Sequence, residues 1–213
     1  MLMLNFNSNL AAHKIPQFDI MKDNLKEYIS KYISLSESEM TDFCDLFENK
    51  SVRKKSFLLK EGEICDFEGF VTKGLFRVYR IHPNGVEQIL YFAIDNWWIT
   101  DLDSFTNASF SKLHIQALED SEILLISKKH KEYAYENIPQ IEKLFRIMTQ
   151  KTHIALQQRM MDNLSKTADQ LYLDFIEKYP QLAQRLTNLQ IAAYLGISHE
   201  FLSKIRKKLF INK

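Results

Sequence analysis

The stretch that decides the fold runs Thr187-Asn-Leu-Gln-Ile-Ala-Ala-Tyr-Leu-Gly-Ile-Ser-His-Glu-Phe-Leu-Ser-Lys-Ile-Arg206. Two helical segments, Leu189–Leu195 and Ser198–Leu209, flank Gly196-Ile197. Ile191 and Leu195 lie one turn apart and face inward. Ala192 is small where two helices must approach closely, and Gly196 stands where a tight turn needs positive φ. Ile197 fills the space between the helices, and Ser198 is placed to cap the second one. Leu202 and Ile205 form that helix's buried face. His199, Glu200, Ser203, Lys204, Arg206 and Lys207, followed by Lys208, remain outward, a polar and mostly basic face suited to the major groove. Plain helical hairpins occur in many all-α proteins. Here the small residue, turn glycine, inter-helix Ile, Ser cap and basic face agree, and together they point to duplex DNA.

The overall charge at first contradicts that reading. The 213 residues hold 28 Lys/Arg and 27 Asp/Glu, a net of +1, which lacks the bulk basicity that attracts phosphate. The chain divides at Ile138, where a long helical pattern begins. Residues 1–137 carry 16 basic and 21 acidic side chains, net −5, and residues 138–213 carry 12 and 6, net +6. The chain is bipolar rather than neutral, and such asymmetry is a hint of nucleic-acid contact.

Upstream of the helical pair, Thr167–Tyr179 reads as an amphipathic helix ended by Pro180. After Pro139, Ile141, Leu144, Phe145, Met148, Thr152, Ala155, Leu156 and Met160 keep three- and four-residue spacing, a stripe wide enough to touch its own domain and a second chain. Before it, short strand-like runs succeed one another: Val52–Leu59, Gly69–Val71, Leu75–Ile81, Glu87–Ala93, Leu113–Leu118 and Glu122–Ser127. Turns at Glu61-Gly62-Glu63, Lys73-Gly74 and Pro83-Asn84-Gly85 punctuate them. That spacing predicts an antiparallel sandwich, roll or barrel. Asp23–Ile33 has a helical stripe, and Ser36 with Glu39 is a capping-box pattern opening a second helix. Residues 1–20 read as a loose leader without the basic start of a signal peptide. The expected organisation is α+β: a leader (1–20), a sensor roll (21–137), a dimerisation helix (138–163) and a helix-turn-helix domain (164–213).

No run of about 18 apolar residues predicts a membrane span. Cys44 and Cys65 form neither a disulfide framework nor a metal pair, so a reduced, cytoplasmic setting is expected. Cys65 follows a glycine turn and reads as a packed thiol before a redox switch. The six histidines show no metal-ligand spacing. There is no phosphate-cradling loop, nucleophile elbow or paired-carboxylate motif, and nothing points to an enzyme.

The run Ile-Ala-x-Tyr-Leu-Gly-Ile-Ser-x-Glu-x-Leu-Ser-Lys-Ile-Arg resembles the DNA-binding end of the Crp/Fnr transcription regulators of bacteria. Gly62, Gly74 and Arg77, with the strand, Pro83-Asn84-Gly85 turn and strand series, are similar to that family's roll. The resemblance covers about residues 20–210. It implies a cyclic-nucleotide-binding-like β-roll, a long dimerisation helix and a C-terminal helix-turn-helix with little or no wing. It also implies a homodimer on a pseudo-palindromic operator, with a hinge near Asn163–Thr167. By the family's pattern Glu200 and Lys204 would read bases, with Lys204 standing where Arg is commonest.

Relatives that bind cyclic AMP carry a Gly-Glu pair and, about ten residues on, an Arg followed by a small residue. In this chain Trp98-Ile99-Thr100-Asp101 stands at the first place. Aligning back from Ala117 puts Ser111 at the Arg, with Lys112 beside it. The phosphate would lack its bidentate partner, so loss of cyclic AMP binding is expected and no cofactor is assigned. Trp97, Trp98, Asp101, Ser111, Lys112 and His114 are the candidate lining for another small effector, while packing is the plainer role for the tryptophans. The alternative function is a ligand-binding or scaffolding module whose C-terminal helices contact protein.

Overall fold

The computed structural model describes residues 17–211. It opens with α1 (Gln17–Ser30) and α2 (Glu37–Asp45). The Ser36 amide donates to the Glu39 carboxylate at 2.8 Å and the Glu39 amide to the Ser36 hydroxyl at 3.3 Å. This reciprocal capping box fixes where α2 starts. Of the expected leader, residues 1–16 lie outside the described residues, and residues 17–20 belong to α1.

The strands β1 (Glu48–Val52), β2 (Phe57–Leu59), β3 (Phe67–Lys73), β4 (Leu75–Ile81), β5 (Glu87–Ile94), β6 (Trp98–Ile99), β7 (His114–Ala117) and β8 (Ser121–Ser127) follow, with α3 (Leu102–Asn107) before β7. They form two antiparallel sheets, ordered β1-β8-β3-β6 and β2-β7-β4-β5. The expected strand Val52–Leu59 is two strands in different sheets. The chain turns between them where the Ser56 amide donates to the Arg53 carbonyl and Lys55 takes φ 70°. Arg53, Lys54 and Lys55 therefore sit in that turn, and Asp120 accepts from the Lys54 amide at 2.7 Å. The β3–β4 turn needs glycine: Gly74 has φ 113°, and a Cβ there would come within 2.2 Å of the Ser121 hydroxyl oxygen.

Each sheet packs against other elements on both of its faces over much of its area. Val52, Phe67, Val71 and Ile123 meet Phe76, Val78, Ala93 and Ile115 inside the roll. Phe70, Leu124 and Ile126, on the opposite face of the first sheet, pack against α1, α2 and the helices α4 (Lys128–Asn137) and α5 (Pro139–Ser165). Leu75, Tyr79, Ile89 and Phe92, on the outer face of the second sheet, pack against the C-terminal helices. Sheets buried on both sides read as nearly continuous apolar runs rather than alternating ones. This matches β3, whose Phe67–Thr72 stretch is buried throughout.

α5 starts with Pro139 at its first turn, where a missing N–H costs nothing, and runs two residues past the expected end. The stripe assigned to it divides. Ile141, Leu144 and Phe145 are buried in their own chain's core, which leaves these three no surface for a second chain, and Met148 packs half-buried beside them. Thr152, Ala155, Leu156 and Met160 are exposed. Ile154, Met161 and Leu164, outside the expected stripe, are exposed beside them, at 63%, 48% and 79%.

The chain ends in α6 (Ala168–Lys178), α7 (Pro180–Arg185), α8 (Asn188–Leu195) and α9 (His199–Ile211). Thr167 with Gln170 and Thr187 with Gln190 form further capping boxes at α6 and α8. The expected hinge is short: Lys166 alone separates α5 from the cap of α6, and its ammonium bridges Asp162 at 3.0 Å and Asp174 at 2.6 Å.

Candidate nucleic-acid interface

The α8–α9 pair has the geometry its sequence predicts. Gly196 ends α8 in the left-handed region at φ 71°, and its amide donates back to the Ala192 carbonyl, as does that of Ile197. The Ser198 hydroxyl accepts from the Phe201 amide at 3.1 Å and so caps α9. Leu202 and Ile205 are buried with Ile191, Ala192, Leu182 and Leu186. His199, Glu200, Ser203, Lys204, Lys207 and Lys208 are exposed along the opposite side of α9. The Glu200 carboxyl is held below the ordinary carboxylate range, first by its own backbone N–H at the helix start, then by the Ser198 hydroxyl, with His199 and Lys204 adding to the effect. It presents an anion able to accept from a cytosine amino group, next to a lysine able to donate to guanine.

Two of the expected DNA-contact residues are engaged elsewhere. Arg206 is half-buried and donates to the Asn188 side-chain oxygen at 2.5 Å, tying α9 to α8. Lys208 bridges Asp169 of α6 at 2.8 Å. Phe201, which the sequence reading passed over, is 47% exposed on the flank of the same helix.

The six candidate effector residues do not line one pocket. Trp98 sits among Tyr28, Phe47, Phe70 and Phe145, with ring centroids 5.4–6.4 Å away. Trp97 meets Tyr179 of the C-terminal domain at 6.0 Å. His114 stacks on Tyr79 at 5.0 Å and accepts from the Glu61 amide. Lys112 is exposed. Only Asp101 and Ser111 come together: both are buried, and the Ser111 hydroxyl donates to the Asp101 carboxylate at 2.7 Å. Asp101 also caps α3 through the Ser104 amide. Cys65 is buried, burial pushes its thiol up, and its Sγ donates to the Phe67 carbonyl, which makes it a packed thiol.

A groove of about 740 Å³ opens outside the roll, lined by β3, α4 and α5 side chains including Glu68, Lys131, Tyr135, Arg146 and His153. Lys131 bridges Glu68 at 2.7 Å and lies 4.1 Å from the Phe145 ring centroid. Among the described residues, no group of three His, Cys, Asp or Glu side chains could hold a metal ion, and no helix is long and apolar enough to cross a membrane.

Residues 49–136 match the cyclic nucleotide-binding domain family. No curated protein sequence matches the chain. Among solved structures, FixK2 from Bradyrhizobium japonicum is similar at 20% identity and a TM-score of 0.69, over 78% of this chain and 85% of that one. A putative transcriptional regulator of the Crp/Fnr family from Eubacterium rectale is similar at 16% identity and a TM-score of 0.66, over 84% and 85%. The c-di-GMP responsive global regulator CLP of Xanthomonas campestris is similar at 13% identity and a TM-score of 0.69, over 83% and 93%. The chain thus has the fold of the Crp/Fnr transcriptional regulators, its roll matching the cyclic nucleotide-binding domain family and its last helix carrying an exposed, mostly basic face.

Proposed function

We propose that the chain is a cytoplasmic, homodimeric transcription regulator that reads duplex DNA with α9. The observation that carries this reading is the exposed face of Glu200, Ser203, Lys204 and Lys207 on a helix whose start is fixed by Ser198 and Gly196. Glu200, Ser203 and Lys204 read bases, with His199 beside them. Lys207 meets phosphate, while Lys208 is held by Asp169. The exposed outer half of α5 pairs with a second copy: Ile154 and Met161 lie seven residues apart and Leu164 three further on, a heptad seam. Two α9 helices then address half-sites about one DNA turn apart.

The roll does not take cyclic AMP in the family manner. The Asp101 carboxylate and Ser111 hydroxyl satisfy each other where a phosphate would need a guanidinium. Any effector is a different small molecule.

Selection of duplexes from a random-sequence library, followed by salt titration of the winner, tests the reading. Enrichment of a two-fold symmetric site whose affinity falls steeply with salt is expected. Absence of enrichment, with binding unaffected by salt, would instead favour helices that contact protein.

A further inference from the structure

Among the described residues β5 is an edge of its sheet, paired with β4 alone. Its register slips once: Val78 faces Tyr91 and Tyr79 faces Ile89, so Leu90 is an extra residue in a bulge. A bulge leaves backbone groups outside the ladder. Facing β5, Tyr194 lies in the last turn of α8, where helix carbonyls have lost their i+4 donors and carry the negative end of the helix dipole.

One side chain answers both. Arg159 of α5 donates through Nη1 to the Leu90 carbonyl and through Nη2 to the Ile89 carbonyl at 3.4 Å and the Tyr194 carbonyl at 2.8 Å. Its guanidinium carbon lies 4.1 Å from the centroid of the Tyr194 ring, which in turn packs on Phe92 of β5 at 5.6 Å and Phe175 of α6 at 5.3 Å. A planar fork with five donors can hold carbonyls on two elements and stack on a ring at once, which an ammonium cannot.

We propose that Arg159 is a coupling residue that ties the roll's β5 edge to the first helix of the reader through the dimerisation helix, so that a change in β5 pairing is felt at α8 and the reverse. The inference deepens the DNA-reading function by naming the element through which the roll sets the reader's orientation. Coupling of this kind is reciprocal, and the reciprocity distinguishes it from a local cap.

Hydrogen–deuterium exchange of the full chain without DNA tests it with two variants of the same side chain. Arg159→Ala is expected to speed exchange several-fold in both β5 and α8, with α1, α2 and β8 unchanged as the control for folding. Arg159→Lys, which keeps the charge but not the planar fork, is expected to speed exchange in both as well. Acceleration confined to β5, or to α8, in Arg159→Ala would make Arg159 a local cap and overturn the proposal, as would wild-type exchange in Arg159→Lys. Because no DNA is present, a failure of DNA binding would leave this result standing, and the converse holds.

Discussion

The Ser111 hydroxyl donates to the Asp101 carboxylate at 2.7 Å inside the roll, with both side chains at most 6% exposed. By the sequence alignment Ser111 stands where the family's cyclic AMP binders carry the arginine, and Asp101 ends the stretch that stands in place of their Gly-Glu pair. Calorimetry with cyclic AMP is therefore expected to show no binding heat. Ser111→Ala should lower stability by about 1–3 kcal/mol in urea unfolding, because a buried carboxylate loses a hydrogen-bond donor. Micromolar cyclic AMP binding would contradict this account of the site.

The two halves of α5 should respond differently to substitution. Ile141→Ala removes a fully buried side chain and should cost about 2–5 kcal/mol, leaving the oligomeric state intact. Ile154→Glu places a charge on the exposed seam and should shift light-scattering mass from dimer to monomer with little loss of roll stability.

The proposed function separates base reading from phosphate contact on α9. Lys204→Ala should relax preference at one operator position, at a cost of about 1–3 kcal/mol in discrimination. Lys207→Ala should weaken every sequence alike and lower the salt slope by about one unit. Arg206→Ala should act through stability instead, since its guanidinium holds Asn188. Anisotropy titrations on matched and mismatched duplexes distinguish the three.

The bridge between Arg185 and Glu119 gives docking of the reader a pH dependence. Arg185 donates to both Glu119 oxygens, at 2.7 and 3.1 Å, and to the Gly74 carbonyl at 2.9 Å. Hydrogen bonding from Arg185 holds the Glu119 carboxyl below its ordinary value of 4.5. A carboxyl depressed in the folded state contributes stability above its unfolded pKa and loses it as pH falls through the folded value. Wild type should therefore exceed Glu119→Gln in urea stability at pH 7, and the difference should be smaller at pH 3. An equal gap at both pH values would remove the charge from the explanation.

The reader was legible because its chemistry is local. Capping, a left-handed glycine and three- and four-residue spacing all act within about a dozen residues, and Gly196, Ser198, Leu202 and Ile205 fall where those rules put them. The roll's strands were legible as elements, but the partners of their faces were not. An apolar stripe on α5 states that something covers it without stating whether that is the same chain. α4 escaped because Ala134 is its only fully buried residue among polar neighbours, which leaves no periodic signal. Trp97 and Trp98 are adjacent in sequence yet point to different clusters, as strand neighbours do. Arg159 offered no signal at all, since its role depends on a bulge created by the pairing of β4 with β5.

α5 is embedded in the roll through Phe145 and exposed from Lys151 to Gln158, so it is mechanically a beam clamped in the core at one end and tethered near the other by Arg159. Its outer fifteen or so residues extend about 22 Å at 1.5 Å per residue, and a tilt of about 5° at the clamp would carry the tip roughly 2 Å sideways. In the proposed dimer, the aromatic packing of Phe43 and Trp98 around Phe145 thereby sets the angle at which the α5 helices of two copies meet. Substitutions deep in the roll, far from any base pair, would change the separation of the two recognition helices and so the half-site spacing the protein accepts.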